Sequence, residues 1–216
     1  MDSQRPITLT ACPCGHQGAI MSDVPIISGE VLDLLRHRAE NERTRTDLAP
    51  LQPLPGQATE PEIAAAEGLL GFEVPLPLRA VYLSVANGGF GPGYGLVGIG
   101  GGIRGFARGK IRGRCEETYA SLRSRTEYDW PEGLLPVCDW GCGIYSCVDC
   151  SSTDGGILRF YSDAIGDGLP TPFTTEANDF RGWLVDWLDG VNLWEKPIRD
   201  ATLWFPPPDR SGAVEQ

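Results

Sequence analysis

The sequence predicts an α+β fold: a single domain with helices packed against a mainly antiparallel, twisted sheet. Three observations carry this expectation. Helical periodicity recurs towards both ends of the chain, and strand-like segments cluster between. Two of those segments flank Asp154-Gly155-Gly156, a turn signal that makes them a hairpin. The length, 216 residues, suits one domain whose core forms without disulfides or metals as staples.

Residues 30–46 carry Val31, Leu34, Leu35 and Arg38 on one helical face, with charges filling the rest. Pro50, Pro53, Pro55 and Gly56 mark a linker. Thr59 stands three residues before Glu62, the spacing of a capping box, and Pro61 suits a first turn. The helix opened there carries Ile63, Ala66, Glu67 and Leu70 and stops at Gly71. Val74-Pro75-Leu76-Pro77 is not helical throughout, because each proline drives its predecessor to extended geometry. Pro77 begins the next helix, with Leu78, Val81, Tyr82 and Val85 as its buried stripe. Asn87-Gly88-Gly89 ends it.

Glycine dominates residues 88–105, with Leu96, Val97 and Ile99 reading as a short strand among the glycines. Residues 115–126 form a helix with Tyr119 and Leu122 on one side. Strands follow at Leu134–Cys138, Ile144–Asp149 and Ile157–Tyr161. In the second, Ile144, Ser146 and Val148 alternate with Tyr145, Cys147 and Asp149. Residues 176–190 close the pattern: Phe180, Trp183, Leu184, Trp187 and Leu188 recur at three and four residues, and Gly190 ends the run.

The organisation expected is a disordered or non-native N-terminal extension over residues 1–24, the α+β domain over 25–196, and a Pro-rich tail over 197–216. Leu9-Thr10-Ala11-Cys12 outlines a lipoprotein cleavage box, but the apolar run before the cysteine is too short for a signal h-region. Met21-Ser22-Asp23 would make a plausible start. No apolar run reaches the length of a membrane span. Seven cysteines without a secretion signal point to reduced thiols and a cytoplasmic location.

The stretch from residue 60 to 90 resembles the SUKH superfamily, which includes fungal Smi/Knr-type regulators of cell-wall synthesis and bacterial toxin-immunity proteins. The residues that carry the resemblance are Glu67 near a helix end, the step Leu76-Pro77, a short helix, and Asn87-Gly88-Gly89. Leu135-Pro136-Val137 followed by Asp139-Trp140-Gly141 looks like the family's central strand and turn. Ile144–Asp149 fits the hairpin partner, and Glu176–Gly190 the closing helix. The resemblance implies a SUKH-like fold over about residues 30–190. Physically, the motif residues Glu67, Leu76, Pro77, Asn87, Gly88, Gly89, Trp140, Gly141 and Asp149 read as mostly structural. The glycine pair permits a turn that a Cβ resists, and Trp140 reads as a core anchor.

Cys138, Cys142, Cys147 and Cys150 lie within thirteen residues, enough by count for a tetrahedral zinc site. Their spacing departs from paired C-x2-C units, and an odd separation in one strand sends Cys147 and Cys150 to opposite faces unless the strand breaks at Asp149. The expectation is small buried thiols and no metal. Cys12-Pro13-Cys14-Gly15-His16 lacks a partner pair. His16 and His37 are the two histidines, and His37 sits between Arg36 and Arg38 in a charged helix, a poor setting for a Cys-His or Ser-His mechanism. The glycine-rich stretch lacks the Lys-Ser/Thr of a phosphate loop and reads as a flexible, solvated linker. No catalytic residue and no cofactor are expected.

Acids outnumber bases 29 to 18, for a net charge of −11. That balance disfavours nucleic acid and anionic membranes and favours a cationic partner. The charge is polarised. Arg104, Arg108, Lys110, Arg112, Arg114, Arg123 and Arg125 against Glu116 and Glu117 give residues 104–125 a net +5, leaving −16 on the rest. The basic segment reads as a solvated loop pairing with the chain's own acids. The resemblance implies a non-enzymatic immunity protein that binds and occludes a toxin, a basic nuclease being the type an acidic inhibitor would cover. Candidate contact acids are Asp129, Glu132, Asp139, Asp149, Asp154, Asp163 and Asp167. The alternatives are a regulatory or scaffolding protein of the cell-wall type, and a zinc- or thiol-dependent enzyme using Cys138–Cys150.

Overall fold

The structure, a computed structural model, describes residues 27–41, 46–47, 53–107, 110–127, 129–162 and 172–195. The expected terminal segments 1–24 and 197–216, and with them Cys12, His16, Asp163 and Asp167, lie outside the described residues.

Local capping chemistry sets the helices. Helix α1 spans Gly29–Glu40, and the Ser28 hydroxyl accepts the Val31 N–H at its start. It stops at Glu40 rather than continuing to 46. Helix α2 spans Glu60–Leu70 and opens with the expected capping box. The Thr59 hydroxyl accepts from Glu62 N–H, and the Glu62 carboxylate takes the Thr59 N–H at 2.7 Å. Helix α3 spans Leu76–Ser84, so Leu76 is already helical although Pro77 follows it. Two proline positions suffice at a helix start because the first N–H groups have no intrahelical acceptor anyway.

A small ribbon, β1 (Phe106–Ala107) and β2 (Lys110–Ile111), follows in the basic segment. Helix α4 spans Cys115–Arg123, with Glu117 accepting the Arg114 N–H. The main sheet then runs β3 (Leu134–Gly141), β4 (Ile144–Asp149), β5 (Ile157–Tyr161) and β6 (Phe173–Ala177), an antiparallel meander in sequence order. Helix α5 spans Phe180–Leu188, and its Asp179 cap accepts the Gly182 N–H at 2.6 Å. The α+β expectation therefore holds.

Two readings of strand positions were wrong. Residues 176–177 belong to β6, not to the closing helix, because Ile157 pairs with Ala177 in the ladder. The stripe Phe180, Trp183, Leu184 and Trp187 is buried as expected, but the helix starts only at Phe180. No strand forms at 96–99. Leu96 makes a lone bridge to Cys138, and Val97 N–H reaches Val137 C=O at 2.8 Å.

Cross-strand partners fix the two sheet faces. Tyr145 pairs with Phe160 and Phe160 with Phe173, so these three share a face with the buried Trp130, whose ring lies 4.9 Å from that of Phe160. Ser146 pairs with Arg159, and both point to the opposite face, where α5 lies against β6. The core is continuous between these layers and includes Tyr82, Phe90, Trp183 and Trp187.

The glycine-rich stretch is not a solvated linker. Gly88, Gly91, Gly95, Gly98, Gly102 and Gly105 are buried, together with Phe90, Leu96, Val97 and Ile99. A Cβ on Gly88 would stand 2.6 Å from the Gly98 amide nitrogen, and its φ is +87°. The stretch packs backbone against backbone, and glycine is what permits that approach.

Candidate functional site: a tryptophan-lined cleft beside helix α5

The end of α5 creates a concave surface. Gly190 adopts φ +78°, and the Gly190 and Val191 N–H groups bond back to Trp187 and Asp186 carbonyls. The chain then turns so that Leu193 is buried and Trp194 lies on the surface. Arg159 holds this segment down from β5: it donates to the Leu193 carbonyl at 2.8 Å and the Trp194 carbonyl at 3.4 Å. Between the segment, the end of α1 and the end of β3 lies a cavity of about 500 Å³. Arg38, Asp47, Trp140, Trp187, Val191 and Trp194 are among its lining residues.

A buried polar network supports the floor. Arg159 pairs with Glu176 at 2.5 Å, with both side chains almost fully buried. Glu176 also accepts from Ser146 Oγ (2.7 Å) and Trp183 Nε1 (2.8 Å), and Ser146 accepts from Trp140 Nε1 (2.7 Å). Burial lowers the Arg159 pKa, but the charge and hydrogen bonds of Glu176 outweigh it and the net shift is upward. The Arg159 charge is thus held, with its desolvation offset by satisfied partners. The Arg159 guanidinium lies 4.7 Å from the Trp140 ring centroid and 5.6 Å from that of Trp194.

The opposite wall is built alike. The Arg38 guanidinium stacks 3.9 Å over Trp187 and donates to the Trp187 and Leu188 carbonyls at the C-terminal end of α5. Burial lowers its pKa, and Asp47 works against that shift. Asp47 is exposed and accepts from Gly93 N–H (2.9 Å) and Trp187 Nε1 (3.3 Å). The wall thus offers indole faces, one carboxylate and one arginine already bound to carbonyls. It offers no nucleophile paired with a base.

The family-motif residues scatter over the fold. Glu67 accepts from Val74 N–H (2.9 Å) and Arg79 (2.8 Å), tying the end of α2 to α3. Pro77 is buried, whereas Leu76 is 54% exposed, so the Leu-Pro step is only half in the core. Asn87 is buried and grips Ile99 with both ends of its amide, at 2.9 Å each. Gly88 and Gly89 carry the left-handed turn after it. Asp149 is buried and accepts from Ser151 N–H (2.9 Å) and Ser151 Oγ (2.5 Å) after β4. Gly141 has φ +84° and donates to the Asp139 carboxylate. Trp140 is the one motif residue that lines the cleft. Among the candidate contact acids, Asp139 and Asp149 are buried.

The four cysteines weighed as a zinc alternative are placed apart in burial and direction. Cys138 is buried and donates to Pro92 C=O at 3.2 Å, while Cys142 is exposed in the β3–β4 turn with φ +53°. β4 does end at Asp149, with Cys147 buried within it and Cys150 half-buried just after it. Burial pushes the Cys115, Cys147 and Cys150 thiols up, Cys115 to about 12. Among the described residues no three His, Cys, Asp or Glu side chains are grouped to hold a metal ion.

Sequence reasoning missed Arg38, Asp47, Arg159, Glu176 and Trp194 as cleft residues and gave Trp187 to the core alone. The abundance of tryptophan towards the C-terminal part of the chain was the available signal. The basic segment pairs with the chain's own acids, Arg104 and Arg114 with Glu117 and Arg112 3.8 Å from Asp139, and Arg123 donates to Trp130 C=O. It is not simply a solvated loop, since β1, β2 and the half-buried α4 lie in it.

No helix among the described residues is long and apolar enough to cross a membrane. No curated protein matches the chain. The model of one family, described as SMI1 / KNR4 family (SUKH-1), matches residues 57–186. That span runs from the α2 capping box through the whole meander into α5, well over half of the chain, and the chain belongs to the SMI1 / KNR4 (SUKH-1) family.

Proposed function

We propose that this chain is a non-catalytic binding protein that neutralises a toxin domain by occluding it. The observation that carries the reading is the cleft itself. It is a concave wall of indole faces with the exposed carboxylate of Asp47 among them, set in a protein of the SMI1 / KNR4 (SUKH-1) family. Buried aromatic anchors of this kind supply much of the affinity at protein interfaces. The net charge of −11 supports a cationic partner and fast, electrostatically steered association. The buried, high-pKa thiols speak against thiol chemistry as the activity.

Co-expression with toxin domains encoded in the gene neighbourhood tests the reading. Restored growth and a stable complex on gel filtration are expected. If every such domain stays toxic and unbound, the immunity reading falls. The family's regulatory branch then gains: a scaffolding role in wall synthesis is supported by membership alone and predicts host-protein complexes and no protection.

A further inference from the structure

The chain's own arginines already show what the cleft accepts. Both indole walls carry a guanidinium: Arg38 on Trp187, and Arg159 within reach of Trp140 and Trp194. Trp194 is 49% exposed and Val191 41%, so part of the aromatic wall still faces solvent. The polar part of the wall is acidic. The Asp47 carboxylate is exposed, and the exposed Asp189 and Glu195 flank Gly190 and Trp194. The C-terminal end of α5 adds its negative dipole end. Among the described lining residues Arg38 is the single cation, and carbonyls already hold it.

Three kinds of anchor can be compared on this ground. An anionic group would face Asp47, Asp189 and Glu195. An aliphatic group would strip water from Asp47 and return no charge. A guanidinium would stack on the open indole and meet a carboxylate, the pairing that arginine's planar fork suits better than a lysine ammonium does. A cavity of about 500 Å³ leaves room for such a side chain. From this geometry we infer that the cleft receives an arginine side chain projecting from a protein partner, its guanidinium stacked on Trp194 and paired with Asp47. The inference rests on the binding-protein reading and names its anchor. The cleft draws on Arg38, Asp47 and Trp187–Trp194, which lie outside the family-matched span 57–186, so the anchor site is built largely by segments flanking the shared part of the fold.

The test uses the full chain, 15N-labelled, titrated with N-acetyl-arginine N-methylamide while the indole Nε1–H signals are followed. Saturable shifts of Trp194, Trp140 and Trp187 are expected. The norleucine and glutamate analogues should leave those signals in place. The double substitution Asp189→Lys/Glu195→Lys, at exposed positions, should weaken the arginine probe severalfold without altering the fold. Equal shifts from the norleucine analogue, or no saturable shift at all, overturn the inference. With a toxin identified, Trp194→Ala should weaken the complex by about tenfold or more. An unchanged affinity would overturn the anchor assignment while leaving the binding-protein reading intact. Saturable arginine binding without any toxin recognition would support the guanidinium site and count only against the immunity reading.

Discussion

At the residue scale, single side chains do more than their sequence context announces. Asn87 is a bidentate clamp on Ile99, buried in a stretch made almost entirely of loop backbone. Asn87→Ala leaves the Ile99 N–H without a partner, while the Ile99 C=O keeps the Gly102 N–H, so a loss of about 1–3 kcal/mol is expected in urea unfolding. A loss near zero would mean that water replaces the amide. Asp139 gives a pH signature. Burial raises its pKa more than the Gly141 N–H and Arg112 lower it. A carboxyl whose folded pKa exceeds its unfolded one binds its proton more tightly in the native state. Its penalty is therefore absent at low pH, grows as pH rises past the unfolded value of about 3.9, and is complete above the folded pKa. Asp139→Asn should gain stability relative to wild type across that window, and parallel stability curves would contradict the assignment. The thiols give a third check. Among the described cysteines, Cys142 is the exposed one, while burial holds Cys115, Cys138 and Cys147 neutral. Iodoacetamide at pH 8 should alkylate Cys142 well before those three, as peptide mass spectrometry would show.

At the element scale, caps and pairs decide where helices stop and which segments meet. The α2 capping box was legible because it depends on residues three apart. Residues 173–177 were not, because Phe-Thr-Thr-Glu-Ala has no strong period and becomes a strand only through its ladder with β5. The misplacement mattered, since it put Glu176 on a helix instead of on the strand beside β5, where it forms an ion pair with Arg159. That pair now looks like the pin between β5, β6 and the segment after α5. Glu176→Ala strands a buried arginine and two further donors, Ser146 Oγ and Trp183 Nε1, and a loss of about 3–5 kcal/mol is expected by thermal or urea unfolding. Glutamine should recover part of it, since its carbonyl still accepts a hydrogen bond. The glycine-rich stretch teaches the same lesson. Composition alone suggested a loose linker, whereas the absence of Cβ atoms is what lets that backbone pack against β3 and Asn87.

At the scale of the whole molecule, charge and shape act together. The +5 of residues 104–125 already counts Glu117, which Arg104 and Arg114 pair with, and Arg112 lies 3.8 Å from Asp139, so the field presented to a partner is that of a net −11 dominated by the −16 outside the segment. Association with a cationic toxin should slow markedly as salt rises from about 10 mM to about 1 M, where the Debye length shrinks from about 30 Å to about 3 Å. Dissociation should change far less, because buried anchors set it. Stopped-flow measurements on the complex separate the two, and a salt-independent association rate would remove the steering argument.

The sequence by itself determined the α+β class, the helix stripes, the central hairpin and the family motifs. All of these are local: periodicity, capping and turn chemistry operate over a few residues, and the chain states them directly. Tertiary structure decided the cleft. Arg38, Asp47, Trp140, Trp187 and Trp194 come from four separate stretches of chain and meet only after α1 lies beside α5 and β5 pairs with β6. It also decided where four neighbouring cysteines point. Side-chain direction follows strand register, and the turn at Cys142 sends that residue to solvent while Cys138 and Cys147 go into the core.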